Sequence, residues 1–132
     1  MSEHFQKVKS YLLDLDVEIV HEDPGEELFV VKNEERGITN LVVDCEDPIL
    51  IIEQLIMPVP EKNRERFFER LLQMNRSLVH GAFVLDEESK HVIFRDTLQL
   101  KNLDFNELEA SILALEMALL DYGDELLEFA KS

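Results

Sequence analysis

The chain has 132 residues, 45% apolar and 32% charged, enough for a single domain spanning 1–132 with a hydrophobic core and too few for two. Its net charge of −16 excludes nucleic acid and anionic membrane surfaces as partners, since phosphate binding needs clustered Lys and Arg. The lone Cys45 cannot staple a fold, and "MSEHFQKVKS" lacks the apolar stretch of a signal peptide, which together predict a reducing, cytoplasmic setting.

Phe5, Val8, Leu12 and Leu15 recur at helical spacing and predict an amphipathic helix over 3–15. Three β-like runs follow: "VEIVH" (17–21), "ELFVV" (27–31) and "ITNLVVDC" (38–45). Asp23-Pro24-Gly25 and "NEERG" (33–37) separate them as turns. A fourth run, "ILIIEQLIMPV" (49–59), is apolar at both parities. It predicts a strand covered on both faces, by the chain's own helices or by a partner. Pro58 and Pro60 end it, because neither can donate to a ladder. Pro60 also suits the first turn of a second helix, which carries Phe67, Phe68, Leu71, Leu72 and Met74.

The stretch "GAFVLDEESKHVIFRD" reads as a hairpin. With Asp86 and His91 closing its loop, Leu85 faces Val92, Phe83 faces Phe94 and Gly81 faces Asp96, while Val84 meets Ile93 on the other side. Asp104 and Glu107 form a capping box before the third helix, with Leu103 and Leu108 as a staple. Leu108, Ile112, Leu115, Leu119 and Tyr122 make one stripe on that helix; Leu113, Met117 and Leu120 make a second. Gly123 predicts a break or bend. The element order is α-β-β-β-(β)-α-β-β-α, an α+β domain on an antiparallel sheet.

Catalytic chemistry finds little support in these residues. Ser10, Ser77, Ser89, Ser111 and Ser132 lack a sharp elbow or an adjacent base, and no glycine-rich phosphate loop is present. His4, His21, His80 and His91 fall on separate elements without metal-ligand spacing; His91 is expected to face Asp86 as a surface pair. Acidic pairs such as Glu34-Glu35 and Glu87-Glu88 sit in turns, where charge is ordinarily solvated. Asp96 shares parity with Val92, Phe94 and Leu98, so it points inward. A bulge, a hydrogen bond to the helix–hairpin junction, or a functional acid would each account for it. Asn75, on the apolar side of the second helix, is expected to satisfy backbone groups where that helix ends.

Residues 61–76 carry a net charge of +2, the one basic element in an acidic chain. Either its Arg stems cover their own core or the helix meets an acidic surface on a second copy. The run at 49–57, the Val84–Ile93 pair and the second stripe of helix three leave surplus apolar surface, the mark of a protein–protein contact.

The "LLQMN" helix ending, the "GAFVLDEESKHVIFRDTLQL" hairpin and the "LDFNELEASILALEMAL" helix resemble the secretion-chaperone fold. They are most similar to its YbjN-type branch, whose members carry the label of sensory-transduction regulators. The resemblance is strong over 60–121 and follows the element order throughout; the apolar strand at 49–57 is an addition to the usual three. It implies an acidic cytoplasmic homodimer, with helices against a twisted antiparallel sheet, and no cofactor or metal. Type III secretion chaperones of this fold hold an extended effector segment on apolar patches. The expected function is therefore a non-enzymatic homodimeric binding protein that shields an apolar segment of a partner protein or peptide. The self-contact is expected at Phe67, Phe68, Arg70, Leu71, Val84 and Ile93, and the partner surface at Phe5, Val8, Leu12, Ile49 and Ile51. The alternative is a regulatory module that senses a small ligand between the sheet and the third helix.

Overall fold

Antiparallel pairing organises the computed structural model, which describes residues 2–131; Met1 and Ser132 lie outside the described residues. The elements are α1 (Glu3–Asp14), β1 (Glu18–Asp23), β2 (Leu28–Asn33), β3 (Ile38–Glu46), β4 (Ile49–Pro58), α2 (Arg64–Ser77), β5 (Ala82–Leu85), β6 (His91–Gln99) and α3 (Phe105–Lys131). The strands form one six-stranded sheet in the order β1-β2-β3-β4-β6-β5. Every neighbouring pair is antiparallel. This is an α+β architecture, with three helices and one antiparallel sheet.

Strand alternation sorts the sheet into two faces. Phe29, Val43 and Ile52 stand in one cross-strand row, and Cys45, Leu50 and Leu98 in the next. These side chains point towards the helices. Phe5 of α1 stacks on Phe29 with ring centroids 4.4 Å apart. Phe67 of α2 meets Phe129 of α3 edge-on at 5.1 Å. One continuous apolar core results, in which each fully buried large side chain contributes roughly 1.5–3 kcal/mol.

Local signals set the helix starts. The Ser2 hydroxyl accepts from the Phe5 N–H at 3.1 Å, a regular N-cap, and donates to Glu27, which ties the start of α1 to the β1–β2 turn. Asp104 and Glu107 form the expected capping box: the Glu107 N–H donates to Asp104 at 2.8 Å and the Asp104 N–H to Glu107 at 3.2 Å. The hairpin has the expected register, with Phe83 opposite Phe94, Val84 opposite Ile93 and Leu85 opposite Val92.

Two expectations are corrected. Helix α2 opens at Arg64 rather than Pro60. Pro60 is buried just beyond β4, and a left-handed Asn63, with φ of 58°, turns the corner into the helix. Helix α3 runs unbroken through Gly123 for 27 residues; Leu126 and Phe129 beyond it pack on the core, which outweighs the propensity cost of one glycine. The ladder itself starts one residue after Gly81, with Ala82 opposite Arg95.

Candidate functional site

The polar groups with chemical potential are mostly tied down within the fold. Asp96 accepts from the Ser111 hydroxyl of α3 at 2.7 Å and from the Thr97 N–H at 2.9 Å. Its partner is therefore the third helix and not the helix–hairpin junction. Asn75 spans α2 and β5: its amide nitrogen donates to the Phe83 carbonyl at 3.0 Å, and its oxygen accepts from the Phe83 N–H at 2.7 Å. The side chain thus replaces a neighbouring strand for one residue of an edge, rather than capping its own helix. His91 meets the Asp86 carboxylate at 2.8 Å; this bond and those from the Lys90 and His91 N–H groups hold Asp86 below the usual carboxylate range. Burial pushes the Cys45 thiol up to about 12, so it stays an uncharged, inert thiol. Among the described residues no grouping of His, Cys, Asp or Glu could hold a metal ion. No helix of the described residues is long and apolar enough to cross a membrane.

Gln54 was not singled out from sequence. It is buried on the helix side of β4, inside a run read as apolar at both parities. Its amide donates to the Gly37 carbonyl at 2.9 Å and accepts from the Thr39 N–H at 3.1 Å, satisfying the turn before β3. A glutamine amid aliphatics was the available signal, because a buried amide has to find partners.

The apolar surfaces are the remaining candidates. On the sheet face away from the helices, Ile51 stands between Asp44 and Thr97, Ile49 between Glu46 and Gln99, and Leu55 opposite Ile93. Ile49, Ile51 and Ile93 are half-buried and Leu55 is exposed. The helices cover only one side of β4. Within this face one Asp44 oxygen is buried and accepts no hydrogen bond. Burial, reinforced by Glu46, Glu26 and Glu53, raises the Asp44 carboxyl to about 6. A second surface is an apolar cleft of about 450 Å³ between α2 and β5, lined by Phe68, Leu71, Leu72, Phe83, Val84 and Leu85.

This arrangement separates the expected contact residues. Phe68, Leu71 and Val84 come together in the α2–β5 cleft, and Ile93 lies beside Val84 on the open sheet face. Phe67 is fully buried, and little of Leu71 reaches the surface. Arg70 is committed within the chain, its guanidinium donating to Glu125 of α3 at 2.7 Å; the carboxylate raises the Arg70 pKa, and Arg70 holds Glu125 below the usual carboxylate range. Arg66 pairs with Glu69, and Arg64 lies 5.3 Å from the Phe68 ring centroid. Most of the basic charge on α2 is thus engaged by its own chain. Phe5, Val8 and Leu12 form the buried face of α1 and have no surface left for a partner; an apolar helix stripe cannot reveal from sequence whether its own sheet will cover it. Ile49 and Ile51 remain on the open face.

The CesT_Tir_1 family model matches the chain over residues 1–132. The chain belongs to the CesT_Tir_1 family, a family of type III secretion chaperones. No curated protein sequence matches it. Among solved structures, YbjN from E. coli superposes with a TM-score of 0.71 at 13% identity, covering 92% of each chain. The HopA1–SchA chaperone–effector complex gives 0.59 at 16% identity, over 89% of this chain and 94% of that one. The Yersinia pestis type III secretion chaperone SycH, solved with a stable fragment of YscM2, gives 0.60 at 11% identity, over 89% and 98%. At these identities the structures establish a shared fold. Membership of CesT_Tir_1 supports a chaperone-like, protein-binding role and points away from enzymatic activity.

Proposed function

We propose that this protein is a cytoplasmic, homodimeric chaperone that shields an apolar segment of a partner protein, without catalysis or cofactor. The observation that carries this reading is the apolar face of β4 and β6 that no helix covers, where Leu55 is exposed and Ile49, Ile51 and Ile93 are half-buried, in a chain of net charge −16. Acidic residues keep such a chain soluble while the apolar area stays available. Client side chains bury against Ile49 and Ile51, and each buried methylene contributes about 0.8 kcal/mol. Self-association uses the α2–β5 cleft, with Phe68 and Val84 lining it and Leu72 projecting beside them, 72% exposed. Phe67, Leu71 and Arg70 support that surface from beneath and beside it. Size-exclusion chromatography with light scattering tests the assembly. The expected mass at micromolar concentration is twice 15.4 kDa, falling to one copy in Leu72→Glu. A parent chain that runs as a monomer overturns the dimer.

A second reading rests on a separate feature. An apolar cavity of about 270 Å³ opens between β4 and α3, lined by Ile56, Met57, Leu119, Gly123, Leu126 and Leu127 among others, as a regulatory module sensing a small apolar ligand would require. A ligand selective for the folded chain raises Tm with its concentration, so a thermal-shift screen distinguishes this reading from the first.

A further inference from the structure

Helix α3 carries two apolar stripes, and the core uses one. Leu108, Ile112, Leu115 and Leu126 are buried in the core. On the other side Leu113, Met117, Leu120 and Leu127 are 46%, 47%, 72% and 57% exposed. Their spacing is informative. From Leu113 the steps alternate four and three residues through Met117, Leu120, Asp124 and Leu127, which is the a/d pattern of a coiled-coil seam. A helix that packs only on its own sheet has no need of a solvent-facing 3.5-residue repeat; that period suits a second helix inserting side chains between these.

The flanks of the seam say which helix. In this heptad frame Glu107, Glu109, Glu116, Asp121 and Glu128 occupy e and g positions, and no Lys or Arg does. Arg36 holds Glu116 at 3.2 Å; among the described residues Glu109, Asp121 and Glu128 enter no ion pair. Residues 102–132 carry a net charge of −7. Two copies of α3 would set acid against acid in either orientation, because the parallel form pairs g with e and the antiparallel form pairs like with like. Asp124 adds a carboxylate at an a position, which a cationic residue opposite would satisfy. Beside the seam, a cleft of about 340 Å³ runs between α3 and residues 77–80, with Leu78, Val79, Ala110 and Ala114 in its walls.

We propose that this seam docks a basic amphipathic α-helix of another protein, one with apolar residues at its own a and d positions and Lys or Arg on its flanks. The surface shares no residue with the α2–β5 cleft or the open sheet face, and a helical occupant differs from an extended client, so the inference stands apart from the proposed chaperone function. The seam from Leu113 to Leu127 spans about 21 Å at the usual helical rise, a length that a three-heptad helix covers with about one turn to spare at each end.

The test uses the full chain and three labelled synthetic peptides of about three heptads. The first has Leu at a and d and Lys at e and g; the second replaces those Lys with Glu; the third scrambles the first. Fluorescence anisotropy is expected to give micromolar binding for the first and at least about 30-fold weaker binding for the others, a margin set by charge and pattern together. Leu120→Glu and Leu113→Glu, both at exposed positions, are expected to leave Tm unchanged and weaken the first peptide about tenfold or more. General attraction of a cationic peptide to an acidic protein predicts the reverse, since each variant adds negative charge. Binding that is unchanged or tighter in these variants, or equal for the scrambled peptide, overturns the proposal. So does conversion of a parent dimer to a monomer by Leu120→Glu, which would make the seam a self-contact.

Discussion

At Gly81 an added Cβ would lie 2.4 Å from the Phe94 ring, and the backbone φ is +74°. Both facts demand glycine, since an L side chain is strained at that φ and the ring is wedged among buried neighbours. Gly81→Ala is expected to destabilise the fold by about 2 kcal/mol or more, read from urea unfolding. Asp44 behaves differently because its difficulty is electrostatic. Its carboxyl is raised from 3.8 to about 6 in the fold, so between these values the folded chain binds more protons than the unfolded chain. Stability therefore falls as pH rises through this window, and the penalty is complete above it. Asp44→Asn removes the charge at nearly constant shape. Its Tm is expected to exceed that of the parent at pH 7.5 by a few degrees, with the difference vanishing near pH 4 in a thermal melt series. A Tm difference that stays constant with pH would contradict the assignment.

At the scale of elements, α2 is fastened at its flank and near its end by polar contacts that no hydrophobic pattern encodes. Arg70 joins it to Glu125 of α3, and Asn75 joins it to Phe83 of β5. Ser77 and Tyr122 add a hydroxyl contact between α2 and α3. Helix α3 answers by running straight past Gly123, where a Cβ would meet nothing within 4 Å. Gly123→Ala is therefore expected to stabilise the helix by up to about 1 kcal/mol, seen as a higher urea midpoint at unchanged slope. A neutral or negative result would mean that the cavity beside it needs the space this methyl group would fill.

Across the whole molecule, helices lie on one face of the sheet and leave the other open. The contrast is sharpest along β4, where Ile52 is fully buried and Leu55 is 58% exposed. Ile52→Ala is expected to cost about 2–5 kcal/mol, the usual range for a core aliphatic. Leu55→Thr is expected to change stability by about 0.5 kcal/mol or less. Parallel denaturation curves check both, and a comparable loss at Leu55 would mean that the outer face is structurally covered. Family membership gives this one-sided layout a protein-binding context, and the negative charge explains how apolar area stays in solution.

Residues acting on close neighbours were legible from sequence. The capping box at Asp104 and Glu107, the hairpin register through Phe83 and Phe94, and the Asp86–His91 pair all follow from local chemistry that repeats in any fold. The surplus apolar stripe of α3 was visible too, because it exceeds what one helix face can bury against a core. Tertiary structure decided the rest. Phe5, Val8 and Leu12 could have faced a partner, and only the placement of β2 made them core. Asp96 needed Ser111, 15 residues away, and Gln54 needed a turn that β3 carries to it. Periodicity states that a face must be covered, whereas what covers it depends on contacts between segments distant in the chain.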